Sequence, residues 1–376
     1  MTTHVSAVGF ARFGKRAESL TDLAAEASAG ALAGLGRKPI DFLVVGNMLA
    51  GAVNGAENLV SRVANRIGLE TAAGLRVEAA SASGAAAFHA AVHAVASGAH
   101  ERALVIAVEK MTDRPTAEVA AALSYSLHPS EQAVGATMPA LAALVSQRYA
   151  DRYGVDPGVF DQVTVAARRA AQHNPYAQFQ TPVTSAEVQA SRPVALPLRL
   201  LHCSSIADGA VAVVLERGDG PARVAGIGQA FEALALVDRP DLTTFAATAL
   251  AAERAFLSAK VSRKEVEVAE LHDAFAPFLL VDLEDLGFAD PGTAPAWFSD
   301  PGPPHGAPAV NPSGGILGRG HPVGASGLAE IAALAQQLRG EADAIQLHPH
   351  PRTGVAQSIG GLASHNFVTI LGGPAP

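Results

Sequence analysis

From Ala79 to His100 the chain carries no Asp, Glu, Lys or Arg, so a helix made from this run has no polar face to offer water. The run is long enough to cross a bilayer. It is also rich in Ala, Ser and Gly and holds His89, His93 and His100, which are costly in hydrocarbon. The segment from Ser83 to Ser97 therefore reads as a helix enclosed by protein on all sides. Only a layered body large enough to swallow a whole helix offers such a place. The chain's 376 residues, 49% hydrophobic and 16% charged, suffice for one. They suit roughly two to three domains, or one large α/β body of two similar halves.

The flanking sequence alternates in the way such a body needs. Val5 to Phe10, Phe42 to Val45, Leu75 to Ala80 and Ala103 to Val108 are apolar and strand-like. Leu20 to Leu35, with Ser19 and Asp22 able to cap it, and Leu59 to Ile67 read as helices. This rhythm predicts a mostly parallel sheet with helices on both faces. From Thr112 to about Leu201 the pattern loosens into Pro-containing loops and two amphipathic helices, near Ala140 to Tyr153 and Val159 to Gln172, which reads as an insertion. Gly209 to Leu215 is again an apolar strand. The order then repeats: strand Val224 to Ile227, helix Thr243 to Ser258, strand Val266 to Leu271, helix Pro277 to Leu286, helix Pro322 to Leu338, strand Phe367 to Leu371.

Several classes of function are excluded. A net charge of −8 with scattered Lys and Arg leaves no basic track for nucleic acid. A single Cys203 allows neither an internal disulfide nor a Cys-based zinc site. The start Met1-Thr2-Thr3-His4-Val5 lacks a basic region followed by an apolar stretch, so a cytoplasmic location is expected, with no membrane partner. A small-molecule enzyme is the leading class.

The repeat also brings chemistry together. Ser81-Ala82-Ser83-Gly84-Ala85 and His321-Pro322-Val323-Gly324-Ala325 share an X-x-x-Gly-Ala register, each opening a helix at the matching place in its half. If the halves pack about a pseudo-twofold axis, both helix N-termini face one central site, and Ser81 and His321 are neighbours.

At this point the residues resemble the thiolase family. Asn311-Pro312-Ser313-Gly314-Gly315, followed by Gly320-His321-Pro322-Val323-Gly324-Ala325-Ser326-Gly327, is similar to the signature N-x-x-G-G…G-H-P-x-G-x-[ST]-G. Glu270-Leu271-His272-Asp273-Ala274-Phe275 resembles the H-D-A-F loop of archaeal-type and sterol-carrier-type members, where others carry N-E-A-F. Leu200 to Ala210 resembles the segment before the last strand of the N-terminal half, Gln357 to Gly361 the C-terminal loop, and Val77 to Gly84 the nucleophile segment. The resemblance spans essentially the whole chain. It implies two β-α-β-α-β-α-β-β halves in a five-layer α-β-α-β-α arrangement with an inserted loop domain. The corresponding boundaries are 1–111 for the N-terminal half, 112–208 for the insertion, 209–220 for its last strand and linker, and 221–376 for the C-terminal half. It also implies coenzyme A thioesters as substrates with no permanently bound cofactor and no metal, an acyltransferase role in lipid metabolism, a homodimer or homotetramer, and a possible small zinc-ribbon and OB-fold partner protein.

Where the family carries its nucleophilic Cys, this chain has Ser81. A thiol at a helix N-terminus is readily deprotonated, whereas a hydroxyl needs a base and gives a less activated ester. Four readings stay open: a Ser-acylating enzyme, natural or as an engineered Cys-to-Ser exchange; a non-thiolytic lyase or retro-aldolase; a Ser/His acyltransferase, with Asp208 or Asp273 orienting the imidazole; and a catalytically silent CoA-binding subunit. By resemblance His321 is the base and an oxyanion donor, and His272 is the second oxyanion donor and proton shuttle. The backbone N–H groups of Ser81 and Gly360 form a further oxyanion hole. Asn311, Gly320 and Ser358 support the site, Ser358 standing where other members have a second cysteine and Ala274 where the sterol-carrier type has one. Retro-aldolase relatives use a Tyr at the position of His272, and this chain's Tyr125, Tyr149, Tyr153 and Tyr176 lie elsewhere. Cys203 reads as a buried structural thiol, Ser81 also as a plain helix cap, and His348-Pro349-His350-Pro351 with His305 as a Pro-stiffened surface loop.

Overall fold

The computed structural model describes residues 2–33, 35 and 39–373. The first half runs β1 (Thr3–Gly14), α1 (Leu20–Leu32), β2 (Phe42–Gly46), α2 (Ala50–Asn54), α3 (Leu59–Ile67), β3 (Ala73–Val77), α4 (Ser83–Ala96) and β4 (Arg102–Glu109). Helices α5 (Thr116–Ser124), α6 (Pro129–Ala133), α7 (Met138–Tyr153), α8 (Gly158–Ala171) and α9 (Ser185–Ala190) follow, then the hairpin β5 (Pro193–Ala195) and β6 (Leu198–Arg199). Strand β7 (Asp208–Arg217) returns to the sheet. The second half runs β8 (Arg223–Phe231), α10 (Ala246–Ala259), β9 (Val268–Glu270), α11 (Ala276–Asp285), β10 (Ala309–Val310), α12 (Gly315–Arg319), α13 (Val323–Arg339), β11 (Thr353–Gly360) and β12 (His365–Gly372).

The strands hydrogen-bond in the order β10-β9-β11-β12-β8-β1-β7-β4-β2-β3, and β8 meets β1 through one pair, Arg223 with His4. Reading outward from that seam, each half presents its first, fifth, fourth, second and third sheet strand, so the two halves share one topology. Helices α4 and α13 pack on each other and on both sheets, α1 and α3 cover the far face of the first sheet, and α10 covers that of the second. This is the five-layer arrangement. Ser19 accepts from the backbone N–H of Asp22 and caps α1, which ends at Leu32; part of the longer helix expected there falls at residue 34, outside the described residues.

The uncharged segment is α4, and it lies in the middle layer as its composition demands. Its His89 is buried, with Nε2 2.9 Å from Thr369 Oγ1. Gly84 sets how closely the two central helices approach: a Cβ there would stand 2.8 Å from the backbone nitrogen of Leu328. Any larger residue wedges α4 away from α13.

Three expectations are corrected. The sheet is mixed rather than mostly parallel: β2 and β9 are parallel to both neighbours, whereas β1, β7 and β4 pair antiparallel, as do β11, β12 and β8. The short connection 361–364 between β11 and β12 forces this, because a parallel pair needs a long crossover. The stretch Gln357 to Gly361, expected as a loop, is mostly strand, since β11 runs to Gly360 and is buried almost throughout. Its Gly content hides a strand whose neighbours sit close on both faces. Strand β3 also ends at Val77, short of Ala80. Among the described residues no helix is long and apolar enough to cross a membrane.

Candidate functional site

A cavity of about 490 Å³ opens where the insertion meets the N-terminal ends of the two central helices. Ser81, His272 and His321 all line it. Its apolar wall includes Val119 and Leu123 from α5, Met138 from the start of α7, and Phe275 and Phe278 at the start of α11, while the exposed Arg114 and Arg192 also border it. The two X-x-x-Gly-Ala segments thus converge as their register predicted: α4 begins at Ser83 and α13 at Val323, each two residues after the polar side chain.

Ser81 is presented by a tight turn. Ala80 has φ +50°, a left-handed conformation that costs a non-glycine residue about 1 kcal/mol. The turn is held by Ser83, whose Oγ accepts from the N–H of Ala79 at 2.9 Å and donates to the carbonyl of Ala80 at 2.6 Å. The strain is tied to the one stretch that must project a hydroxyl at a helix N-terminus. Ser83 holds this turn, and no side-chain hydrogen bond caps α4, so Ser81 is not acting as its helix cap.

His321 is fixed from both ends. Its N–H donates to the carbonyl of Ser205 at 2.9 Å, and its Nδ1 lies 2.8 Å from Ser326 Oγ, which donates onward to the carbonyl of Pro322 at 3.4 Å. Burial, then the neighbouring His272 and Arg319, hold the imidazole well below its ordinary pKa. His272 leaves the end of β9, its N–H donating to Gln357 Oε1 at 3.0 Å and its Nδ1 2.9 Å from Glu330 Oε1. Burial, with Arg319 adding to it, pushes His272 down to about 3. The two rings meet edge to face, 5.5 Å between centroids and 78° between planes. Both are therefore neutral near pH 7, fit to accept or donate one hydrogen each rather than to carry charge.

The supporting residues divide by what they hold. Asn311 accepts from the N–H of Leu271 at 2.6 Å and donates to its carbonyl at 3.1 Å, clamping the backbone next to His272. Gly320 adopts φ +93°, a conformation that strains any residue with a side chain, and a Cβ there would also crowd Gln178 and Ala207. Gly360 packs beneath the carbonyl of Ala79, close to the Ser81 turn, and its neighbours Ile359 and Gly361 border the cavity. Ser358 is buried and packs against Gly327.

Three sequence readings are revised here. Asp208 does not approach His321: it accepts from Lys110 Nζ at 2.8 Å and from the N–H groups of Met111 and Thr112, tying β7 to the end of β4. Asp273 accepts from the N–H of Ile316 at 2.5 Å. Neither orients an imidazole; the carboxyl that does is Glu330, on His272. Cys203, expected as a buried structural thiol, is half-buried and lines the same cavity as Ser81. Burial raises its thiol to about 12, and it donates weakly to the carbonyl of Arg199 at 3.5 Å, so it is no nucleophile. None of the four tyrosines lines the cavity. Among the described residues no cluster of His, Cys, Asp and Glu could hold a metal ion, and His350 Nε2 is 2.8 Å from the carbonyl of Gln337.

Sequence reasoning passed over Glu330, Gln357 and Ser326. Glu330 carried a signal: it is the one charged residue between Val323 and Leu338, and a lone acid on an apolar helix has to find a partner. Gln357 and Ser326 stand inside the quoted motifs, which gave them no role of their own.

Residues 3–196 match the family described as Thiolase, N-terminal domain, and residues 228–373 the one described as Thiolase C-terminal domain-like. The acetyl-CoA acetyltransferase of Methanothermobacter thermautotrophicus is 40% identical over 366 residues, 94% of each chain. Benzoylsuccinyl-CoA thiolase subunit BbsB of Thauera aromatica is 35% identical over 76% of each. Among solved structures, Ltp2-ChsH2(DUF35) aldolase superposes with a TM-score of 0.82 at 25% identity, covering 99% of this chain and 98% of that one.

Proposed function

Because the chain belongs to the thiolase family, we propose that it is an acyl-CoA acyltransferase that makes or breaks a carbon–carbon bond beside a coenzyme A thioester by Claisen-type chemistry. Coenzyme A enters as substrate, and no permanently bound cofactor belongs to this reading. The observation that carries it is the convergence of Ser81 and His321, at the N-terminal ends of α4 and α13, with His272, from the end of β9, on one cavity.

In the acylation step Ser81 Oγ attacks the thioester carbonyl while His321 Nε2 takes its proton. The tetrahedral oxyanion sits against the N–H groups of Ser81 and Gly360, with the positive end of α4 behind it. The carbon–sulfur bond breaks, and the proton on His321 leaves with the coenzyme A thiol. In the condensation step His321 Nε2 takes the α-proton of a second acyl-CoA, whose enolate oxygen is held by His272. The enolate carbon attacks the carbonyl of the Ser81 ester, the carbon–oxygen bond to Ser81 breaks, and the serine oxygen takes the proton back from His321. Thiolysis is the reverse. Arg114 and Arg192 at the cavity border suit the phosphates of coenzyme A. An oxyester is a poorer acyl donor than a thioester, so turnover is slower than with a thiol at position 81.

A second reading, a carbon–carbon lyase with no acyl-enzyme, draws on Ser81 and on the likeness to an aldolase chain. Intact-protein mass spectrometry after incubation with short acyl-CoA thioesters separates the two. An acyl adduct that disappears in Ser81→Ala supports the transferase. No adduct on this chain, with an adduct and thiolysis in Ser81→Cys, supports the lyase reading over a serine-acylating one. No adduct and no carbon–carbon chemistry in either protein leaves a silent subunit.

The same reading makes the protein a cytoplasmic homodimer or homotetramer of lipid metabolism, with a small zinc-ribbon and OB-fold protein as partner. It draws on relatives of which one is named a subunit and another is named together with ChsH2(DUF35).

A further inference from the structure

Four carboxyl side chains, Glu270, Asp273, Asp282 and Glu330, are fully enclosed around the His272 loop, with one buried guanidinium, Arg319, among them. They cannot all be ionised against a single cation. The partners of each decide where charge resides. Arg319 stands 3.8 Å from Glu270 Oε2 and donates to Ser313 Oγ at 2.8 Å, and Glu270 also accepts from the N–H and hydroxyl of Ser313. Asp273 accepts from the N–H of Ile316, and Asp282 from Gln357 Nε2 at 3.0 Å. Glu330 is the poorest site for a negative charge. Among the described residues no backbone N–H reaches it, the only ionisable group within ion-pair distance is His272, and its Oε2 is buried without a hydrogen-bond partner.

An imidazolium at His272 would fare no better, with Arg319 nearby and the His321 ring 5.5 Å away. The remaining arrangement is a neutral pair. Oε2 has no partner at hydrogen-bonding geometry, the nearby Ser358 hydroxyl included, whereas Oε1 stands 2.9 Å from His272 Nδ1, so the acid hydrogen belongs on Oε1.

We propose that Glu330 is a neutral carboxylic acid and a positioning residue: its O–H donates to Nδ1 of His272 and fixes that ring with its hydrogen on Nε2, the nitrogen left to the cavity. Ser326 does the reverse for the other ring. Its hydroxyl is committed to the carbonyl of Pro322, so it accepts from Nδ1–H of His321 and leaves that ring's Nε2 bare. The cavity then meets one donor nitrogen and one acceptor nitrogen, set by two helix α13 side chains that never touch the ligand. Burial raises Glu330 well above the carboxylic range, opposed by Arg319 and the Ser358 hydroxyl, in keeping with this. That the His272 donor serves a substrate oxygen rests on the acyltransferase reading; the tautomer itself does not.

The test begins on the ligand-free protein labelled with nitrogen-15 histidine, with His272 assigned by comparison with His272→Asn. A protonated Nε2 and an unprotonated Nδ1 at pH 7 are expected, and the opposite pattern or an imidazolium overturns the proposal. The infrared difference between the protein and Glu330→Gln should lose a protonated-carboxyl carbonyl band; loss of carboxylate bands instead also overturns it. With acyl-CoA as probe, Glu330→Leu should lower kcat about 10²-fold with little change in KM, and Glu330→Gln, which still offers Nδ1 an N–H, should recover most of that loss. Equal damage in both variants means a carboxylate is needed and the proposal falls. If the tautomer is found but no acyl-CoA chemistry is seen, the transferase reading fails and the Glu330 assignment stands.

Discussion

A serine hydroxyl at position 81 needs a base in the transition state, and the proposed mechanism gives that task to His321, a neutral imidazole lining the same cavity. His321→Ala is expected to lower the rate of Ser81 acylation about 10³-fold while leaving acyl-CoA binding largely intact, measured by adduct formation against time and by equilibrium binding. Unchanged acylation would remove His321 from the step. Ser81→Cys should acylate faster than the unmodified chain, because a thiol at this helix N-terminus ionises more readily. His89 offers a different experiment. It is buried, and burial, with His93 adding to it, pushes it down to about 3. Its folded pKa is thus below the unfolded value of about 6.5, so the unfolded chain binds the extra proton and stability falls as pH drops below that value. Between pH 6.5 and 5 this one residue costs about 2 kcal/mol. Buried Glu109, Glu270 and Asp273 and the half-buried Asp285, each raised to about 7, act the other way, losing stability as pH rises towards 7. The clean comparison is therefore His89→Gln against the parent chain in denaturant melts at both pH values. The variant should lose less stability on acidification, and identical losses would show that His89 is not held neutral.

The central element is the crossing of α4 and α13, because each carries one side of the site at its N-terminal end. Gly84 permits that crossing, and Gly324 sits as tightly, a Cβ there standing 2.5 Å from Glu109 Oε1. Gly84→Ala should destabilise the protein by about 2 kcal/mol through overpacking, read as a lower denaturation midpoint. It should also lower kcat, since Ser81 and His321 ride on the two helices being pushed apart. A variant with parental stability and activity would mean that the helices can separate freely. Glu330 belongs to this scale as well. It is one buried acid on an otherwise apolar helix, and its value lies in reaching across to the loop from β9.

At the scale of the whole molecule, the first sheet ends in β3, which pairs only with β2 and leaves Leu75 40% exposed on an open edge. Open edges of this kind are normally covered. Light scattering on the purified protein should give a dimer or tetramer mass, and Leu75→Arg should lower it; a monomer in the parent chain would sink the oligomer reading. How much of this was legible beforehand follows from what kind of information each feature needs. The sequence by itself determined the strand and helix order, the repeat of that order in two halves, the burial of the uncharged helix and the matched register of Ser81 and His321. All of these rest on local periodicity, composition and spacing. Only the tertiary structure decided that the sheets are mixed, that the Gly-rich run at Gln357 is a strand, that Cys203 shares the cavity, that Asp208 serves Lys110 instead of a histidine, and that Glu330 meets His272. Those depend on which distant segments the α4–α13 crossing brings within hydrogen-bonding distance, and no local pattern encodes a distance between halves that first meet when the chain folds.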